Sequence, residues 1–126
     1  MKEQGKVQPV SPQDVVEEKE KWIPDEVISA FNRLISVNFS CGYSSFKQNE
    51  VLTEIINNLK KSDLECVKKI SVDYCEPYFT LELESLIFKC NWLDVEEIFR
   101  KAGWIVEYDK PGYNESYSAT FNFRKK

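Results

Sequence analysis

Two pairs of carboxylates have the spacing that catalysis or metal binding would need. Glu107 and Asp109 would share one side of a strand, and Asp94 and Glu97 would share one side of a helix. Either pair could hold Mg²⁺ or act as acid and base. Exposed strands and helices produce the same spacings routinely, so we interpret both pairs as surface charge. We therefore predict no catalytic residue, no metal and no cofactor.

The composition removes most other catalytic chemistry. The 126 residues include no histidine and only four glycines. A Ser-His-Asp or Cys-His nucleophile is therefore excluded, and no glycine-rich phosphate loop is present. The four cysteines contain no C-x-x-C pair, which argues against a zinc site, and we predict buried reduced thiols instead. These exclusions favour a binding protein over an enzyme.

The residues best suited to recognition lie in the C-terminal third. Pro111 and Gly112 account for a turn, whereas Tyr113, Asn114 and Glu115 exceed what a turn needs. Basic side chains stand at the end of the preceding helix and at the start of the turn. The predicted binding residues are Arg100, Lys101, Lys110, Tyr113, Asn114 and Glu115.

The elements that would position these residues follow from apolar periodicity. Residues 1–21 are polar and are predicted to be a flexible arm with a nascent helix over 12–21. Residues 22–126 are predicted to be a single α+β domain in which three or four helices precede an antiparallel hairpin, in winged-helix-like order. The helices are expected at 24–38, 46–60 (capped by Ser45 and Gln48), 80–89 and 92–102, with a short helix following residue 62 and a polar break at 38–45. The strands are expected at 104–109 and 117–124, around a turn at 110–116.

The charge distribution bears on the class of partner. Residues 22–99 carry seven basic and thirteen acidic groups, and residues 100–126 carry six and three. In a winged helix, 92–102 would be the recognition helix, but its Asp94, Glu96 and Glu97 would repel phosphates. We therefore favour a protein partner.

Two alternatives stay open. The hairpin could bind nucleic acid, including single strands, by stacking bases on its aromatic residues beside its lysines, although four of the aromatics alternate like a packed sheet face. The carboxylate pairs leave a small carboxylate-dependent enzyme as the second alternative.

Three segments of the sequence resemble parts of known small proteins. WLDVEEIFRKAGWIVEYDKPGYNESYSATFNF (92–123), IPDEVISAFNRLI (23–35) and FKQNEVLTEI (46–55) resemble small bacteriophage-encoded accessory proteins, over about half the chain. The resemblance implies a small cytoplasmic protein of viral or prophage origin and no particular activity. The longest apolar run is only Leu86 to Phe88 and the first ten residues lack an apolar signal region, so no membrane partner is expected. The overall prediction is a non-enzymatic accessory or regulatory binding protein in the cytoplasm, which would be the host cytoplasm for a viral protein.

Overall fold

The computed structural model describes residues 9–126, which form an α+β fold. Within this range there are six helices and one three-stranded antiparallel sheet, and none of the helices combines the length and hydropathy of a membrane-spanning helix. The helices are α1 (Pro12–Trp22), α2 (Asp25–Asn38), α3 (Gln48–Lys60), α4 (Glu65–Asp73), α5 (Tyr78–Lys89) and α6 (Glu96–Lys101). The strands are β1 (Tyr43–Lys47), β2 (Trp104–Asp109) and β3 (Thr120–Lys125).

The sheet confirms the predicted α+β class and adds one strand to it. The order is β1-β3-β2, so β3 lies between β2, its hairpin partner, and β1, which pairs with it from far away in the sequence. The order of helix, strand, helices and hairpin is winged-helix-like. The prediction of a polar break at 38–45 is wrong from Tyr43 onward, because β1 occupies that part of the chain.

The predicted N-terminal arm contains a helix. Ser11 and Asp14 form a capping box, in which the Ser11 hydroxyl oxygen accepts from the Asp14 N–H at 3.1 Å and the Asp14 carboxylate accepts from the Ser11 N–H at 3.3 Å. The helix continues to Trp22, buries Val16 and contacts α6. Residues 1–8 of the predicted arm lie outside the described residues, and the boundary between arm and domain stays a prediction.

Several predicted element boundaries are corrected. Helix α3 begins at Gln48 because the Lys47 N–H donates to the Glu50 carboxylate at 2.9 Å, so the predicted cap at Ser45 is wrong. The helix predicted at 92–102 begins only at Glu96, after a turn that follows Asn91 in a left-handed conformation (φ 55°). The last strand begins at Thr120, so Tyr117 lies outside it and is exposed. The prediction of buried thiols is also wrong for Cys41, Cys75 and Cys90, which are exposed.

Phenylalanines fill the core between α2 and the inner face of the sheet. The ring of Phe31 on α2 is fully buried, and its centroid lies 4.9 Å from that of Phe121 on β3. Three further aromatic rings surround it at 5.9 to 6.3 Å: Phe46, Phe99 and Phe123. This packing fixes the hairpin, and therefore its connecting loop, to the helical layer.

One buried polar contact joins β1 to the end of α2. The Ser44 hydroxyl is fully buried and donates to the Ile35 carbonyl oxygen at 3.0 Å. The Ile35 carbonyl lies in the last turn of α2. The Phe39 N–H, which would bond to it in a continuing helix, donates to the Ser36 carbonyl oxygen instead, so the Ser44 hydroxyl supplies the donor that this carbonyl would otherwise lack.

Replacing Ser44 with alanine therefore tests whether β1 is held as described. Ser44→Ala leaves the buried carbonyl without this donor, and we expect a loss of about 1–2 kcal/mol in the free energy of unfolding, measured by urea denaturation. Ser71→Ala removes a similar bond, to the Lys68 carbonyl oxygen, on an exposed surface and should cost less. Equal losses in the two variants would contradict the buried role of Ser44.

Candidate functional site

The hairpin loop after β2 is held in shape by its own polar groups. The Glu115 carboxylate accepts from the Gly112 N–H at 2.7 Å, and the Glu115 N–H donates to the Gly112 carbonyl oxygen at 3.1 Å. The Tyr117 hydroxyl lies 2.9 Å from Asp109 Oδ1 and 2.8 Å from the Lys110 carbonyl oxygen. A Cβ at position 112 would stand 2.9 Å from Glu115 Oε1, so glycine allows this close approach. The loop therefore has a defined conformation although it is exposed throughout.

Tyr113 is the most exposed aromatic residue among the described residues. Its side chain has 101% relative exposure, and the neighbouring Asn114 and Glu115 are exposed as well. No hydrogen bond, aromatic contact or ion pair in the described part of the chain involves the Tyr113 side chain. A large aromatic group held at the tip of a braced loop has no role in stabilising the fold, and it is well placed to contact a partner.

The structure separates the six predicted binding residues into two groups. Lys110, Tyr113, Asn114 and Glu115 share the loop, as the sequence predicted. Arg100 and Lys101 end α6, and α6 is followed by the start of β2, whereas the loop follows its end. A six-residue strand spans roughly 17–20 Å, so the two groups lie at opposite ends of β2.

Arg100 and Lys101 are also engaged within the chain. The Arg100 guanidinium contacts the carboxylates of Glu96 and Glu97 and donates to the Val106 carbonyl oxygen at 3.1 Å. Lys101 Nζ lies 2.8 Å from a carboxylate oxygen of Glu20, and this hydrogen bond raises the pKa of Lys101. Both side chains thus attach α6 to neighbouring elements, β2 for Arg100 and α1 for Lys101.

Beside the loop lies a cleft that the sequence did not predict. Its volume is about 470 Å³, and its walls come from α3, α5, the turn before α6, α6 itself and the end of β2. The lining residues combine an apolar floor with a polar rim: Gln48, Ile87, Phe88, Asn91, Leu93, Asp94, Glu96, Tyr108 and Lys110. Because Lys110 lines the cleft and begins the loop, the two features form one continuous surface.

Tyr108 forms the wall of the cleft next to the loop. Its ring stacks on Phe121, with centroids 4.0 Å apart, and Lys110 Nζ lies 5.0 Å from the centroid of the Tyr108 ring. The Tyr108 hydroxyl hydrogen-bonds Gln48. Burial raises the pKa of Tyr108, and the nearby Glu96 carboxylate raises it further, so the hydroxyl stays neutral at physiological pH. This wall is an aromatic surface with one neutral hydroxyl and one cation.

The carboxylate pairs do not form a concave site. Glu107 and Asp109 lie on the exposed outer face of the sheet and do not line the cleft. Asp94 does line it, but it is paired with Lys19 at 2.9 Å, and Glu97 is paired with Arg100. Within residues 9–126, no three carboxylate or cysteine side chains converge as metal ligands would.

The Tyr117 hydroxyl provides a measurable test of the loop conformation. Its hydrogen bond to the Asp109 carboxylate raises the pKa of Tyr117, with burial and the charges of Asp109 and Glu115 adding to the effect. Because the pKa is raised, the bond contributes its full stabilisation at pH values below the ordinary tyrosine pKa of 10.0. The stabilisation is lost as the pH rises through the higher pKa of the folded protein.

We expect Asp109→Asn to lower the pKa of Tyr117 toward its ordinary value, because it removes the largest cause of the shift. The measurement is a pH titration of the ring-carbon chemical shifts of isotopically labelled tyrosines. Glu107→Gln, on the same face of β2, should leave the Tyr117 titration unchanged. If Asp109→Asn also left it unchanged, the described loop conformation would be wrong.

Comparison with known proteins identifies no family for this chain. No protein-family model, curated protein or solved structure matches the chain. The resemblance to bacteriophage accessory proteins therefore stays a prediction, and function has to be argued from the loop and the cleft.

Proposed function

We propose that this protein is a non-enzymatic accessory or regulatory protein of the cytoplasm that binds a protein partner through the 110–116 loop and the adjoining cleft. The observation that carries the proposal is the complete exposure of Tyr113 on a loop with a fixed conformation. A preformed loop loses little conformational freedom on binding, so most of the interaction energy of the tyrosine is available for affinity. Tyrosine is also among the residues that contribute most to protein interfaces.

The cleft supports a protein partner for a further reason. Its apolar floor contains Ile87 and Leu93, while amides, carboxylates and a lysine stand at its rim. Such a mixture suits a protein side chain that is apolar at one end and polar at the other. The loop would contact the partner beside that inserted side chain.

Nucleic acid is the weaker candidate, because the hairpin offers few rings for base stacking. Phe121 and Phe123 are fully buried, and Trp104 and Tyr108 are half-buried against the core. The cleft beside the loop is lined by two carboxylates, Asp94 and Glu96, and by one basic side chain, Lys110, and this lining offers little positive charge to a phosphate backbone. We expect no salt-dependent binding to single-stranded or duplex oligonucleotides.

Site-specific photo-crosslinking in the native host tests the proposal. A photoreactive phenylalanine derivative at position 113 should crosslink to one discrete protein, identified by mass spectrometry. The same derivative at position 37, where Val37 is 66% exposed on α2, is the control and should not capture that protein. Identical products from the two positions, or a nucleic acid as the product at position 113, would overturn the proposal.

A further inference from the structure

Helix α5 carries a row of exposed residues on the side that faces away from the core. Tyr78, Leu81 and Phe88 are exposed to 61%, 54% and 47%, and the small Ser85 between them is exposed as well. At about 100° per residue, the four positions fall within an arc of roughly 80°. The buried residues of the helix, Leu83 and Ile87, lie on the opposite side. We call the row of residues 78, 81, 85 and 88 the α5 stripe.

The spacing of the α5 stripe is that of a helix–helix contact. Its members are separated by three, four and three residues, the interval at which side chains of one helix pack against a second helix. Ser85, near the middle, would allow close approach of a partner backbone. No element among the described residues covers the stripe, so its apolar groups remain in contact with water.

Carboxylates stand on both sides of the α5 stripe. Helical geometry places Glu82 on one flank and Glu84 on the other, and both are half-buried. Neither forms an ion pair with any Lys or Arg in residues 9–126, although seven such ion pairs occur elsewhere in that range. The only basic residue of α5 is Lys89, in its last turn.

We propose that the α5 stripe binds an amphipathic helical segment of a partner protein, whose apolar side is flanked by lysine or arginine. The apolar row would pack against the apolar side of that segment, and Glu82 and Glu84 would pair with its basic flanks. The α5 stripe meets the cleft at Phe88 but includes no residue of the 110–116 loop, and the proposal does not rest on the function proposed for the loop and the cleft.

The same charges argue against a second copy of this chain as the occupant. The stripe runs from residue 78 to residue 88, so an antiparallel pair related by a two-fold axis would be centred near residue 83. Glu82 and Glu84 of one copy would then approach the same carboxylates of the other, and like charges would repel. A basic partner segment converts this repulsion into attraction.

Binding of a designed peptide pair tests the proposal. Both fluorescent peptides contain the same leucines and lysines; in one, leucine recurs at i, i+3, i+4 and i+7, and in the other the order is scrambled. Fluorescence anisotropy should show saturable binding of the amphipathic peptide and much weaker binding of the scrambled one. Equal affinity for the two peptides would mean only general attraction to an acidic protein, and would overturn the proposal.

Two charge-matched variants locate the binding surface. Leu81→Lys should weaken binding of the amphipathic peptide by roughly tenfold or more, because it places a lysine within the stripe. Val72→Lys adds the same charge at an 83% exposed position on α4, and should leave the affinity within about twofold of the wild type. Tyr78→Lys repeats the test at the N-terminal end of the stripe, and circular dichroism verifies that each variant is folded.

Replacing the flanking carboxylates tests the electrostatic part of the proposal. The double variant Glu82→Gln, Glu84→Gln should bind the peptide more weakly than the wild type and with a smaller dependence on salt.

Two results would contradict the proposal. Equal affinities of the Leu81→Lys and Val72→Lys variants for the amphipathic peptide would mean that the peptide binds outside the stripe. Sedimentation equilibrium measures the oligomeric state. If the wild type is a dimer and Leu81→Lys is a monomer, the stripe binds a second copy of this chain, and the proposal of a basic partner helix is overturned.

Discussion

Phe31→Ala is expected to lower the free energy of unfolding by about 3–5 kcal/mol, the typical cost of removing a fully buried phenylalanine ring. Phe31 has no exposed surface and contacts aromatic rings from the sheet and from α6, so its removal leaves a cavity that rigid neighbours cannot fill. A loss of this size is a large part of the roughly 5–15 kcal/mol that stabilises a domain. Urea denaturation followed by circular dichroism measures it.

The same substitution at an exposed position is the control. Phe88→Ala removes an identical ring from the outer side of α5, where the side chain is 47% exposed, and should cost about 1 kcal/mol or less. The slope of the unfolding transition should be similar in both variants if the surface exposed on unfolding is unchanged. Equal destabilisation would show that Phe31 is not at the centre of the core.

Sequence periodicity was a sufficient guide where one side of a helix meets the core. Val27, Phe31 and Leu34 recur at the helical interval on α2, and the predicted limits of 24–38 differ from those of the structure by one residue. In α5 the sequence signals conflict, because part of the segment also alternates as in a strand, and the favoured helix at 80–89 begins two residues after the observed start at Tyr78. Along α2, the apolar residues that recur at the helical interval are also the residues that are buried, so the sequence pattern predicts the helix directly.

Strand β1 had no comparable signal. Its two inward-facing residues are Ser44 and Phe46, so the strand shows little alternation between apolar and polar side chains. Ser44 is buried because its hydroxyl reaches the end of α2, and Phe46 pairs with Phe121, 75 residues later in the chain. A strand that depends on such distant contacts cannot be recognised from its own composition.

The predicted helix at 92–102 starts too early because the helical spacing of apolar residues accounts for only some of the residues that are buried there. Trp92, Val95 and Phe99 fit one side of a helix, but Leu93 is buried too. A turn after Asn91 brings both Trp92 and Leu93 to the core, which a continuous helix would not do. The shorter α6 places its first residue, Glu96, in the wall of the cleft.

The candidate site was predictable where it is local in sequence. The loop residues stood out because their side chains exceed what a turn requires, and the structure keeps Tyr113, Asn114 and Glu115 together and exposed. The cleft could not be predicted, because Gln48 and Asn91 contribute to it from elements far from the loop. Nothing in the local sequence of either residue distinguishes it from an ordinary surface amide.

Tyr113→Ala is expected to weaken binding to the partner crosslinked at position 113 by about 30-fold, corresponding to about 2 kcal/mol. The ring projects from a loop whose shape is set by Gly112, Glu115 and Tyr117, so its contact energy is not offset by ordering the loop. Because the Tyr113 side chain has no contact within the described chain, the free energy of unfolding should change by less than about 0.5 kcal/mol. Isothermal titration calorimetry and urea denaturation measure the two quantities.

Two further variants separate recognition by the ring from general effects. Tyr113→Phe keeps the ring and should retain most of the affinity if apolar contact dominates, whereas a loss as large as that of Tyr113→Ala would assign the energy to the hydroxyl. Tyr74→Ala removes a tyrosine that is 42% exposed after α4 and should leave the affinity unchanged. If Tyr113→Ala bound the partner as tightly as Tyr74→Ala, the loop would not be the interface. The combination of an unchanged fold and a lost partner is therefore the result that distinguishes a recognition loop from a structural turn.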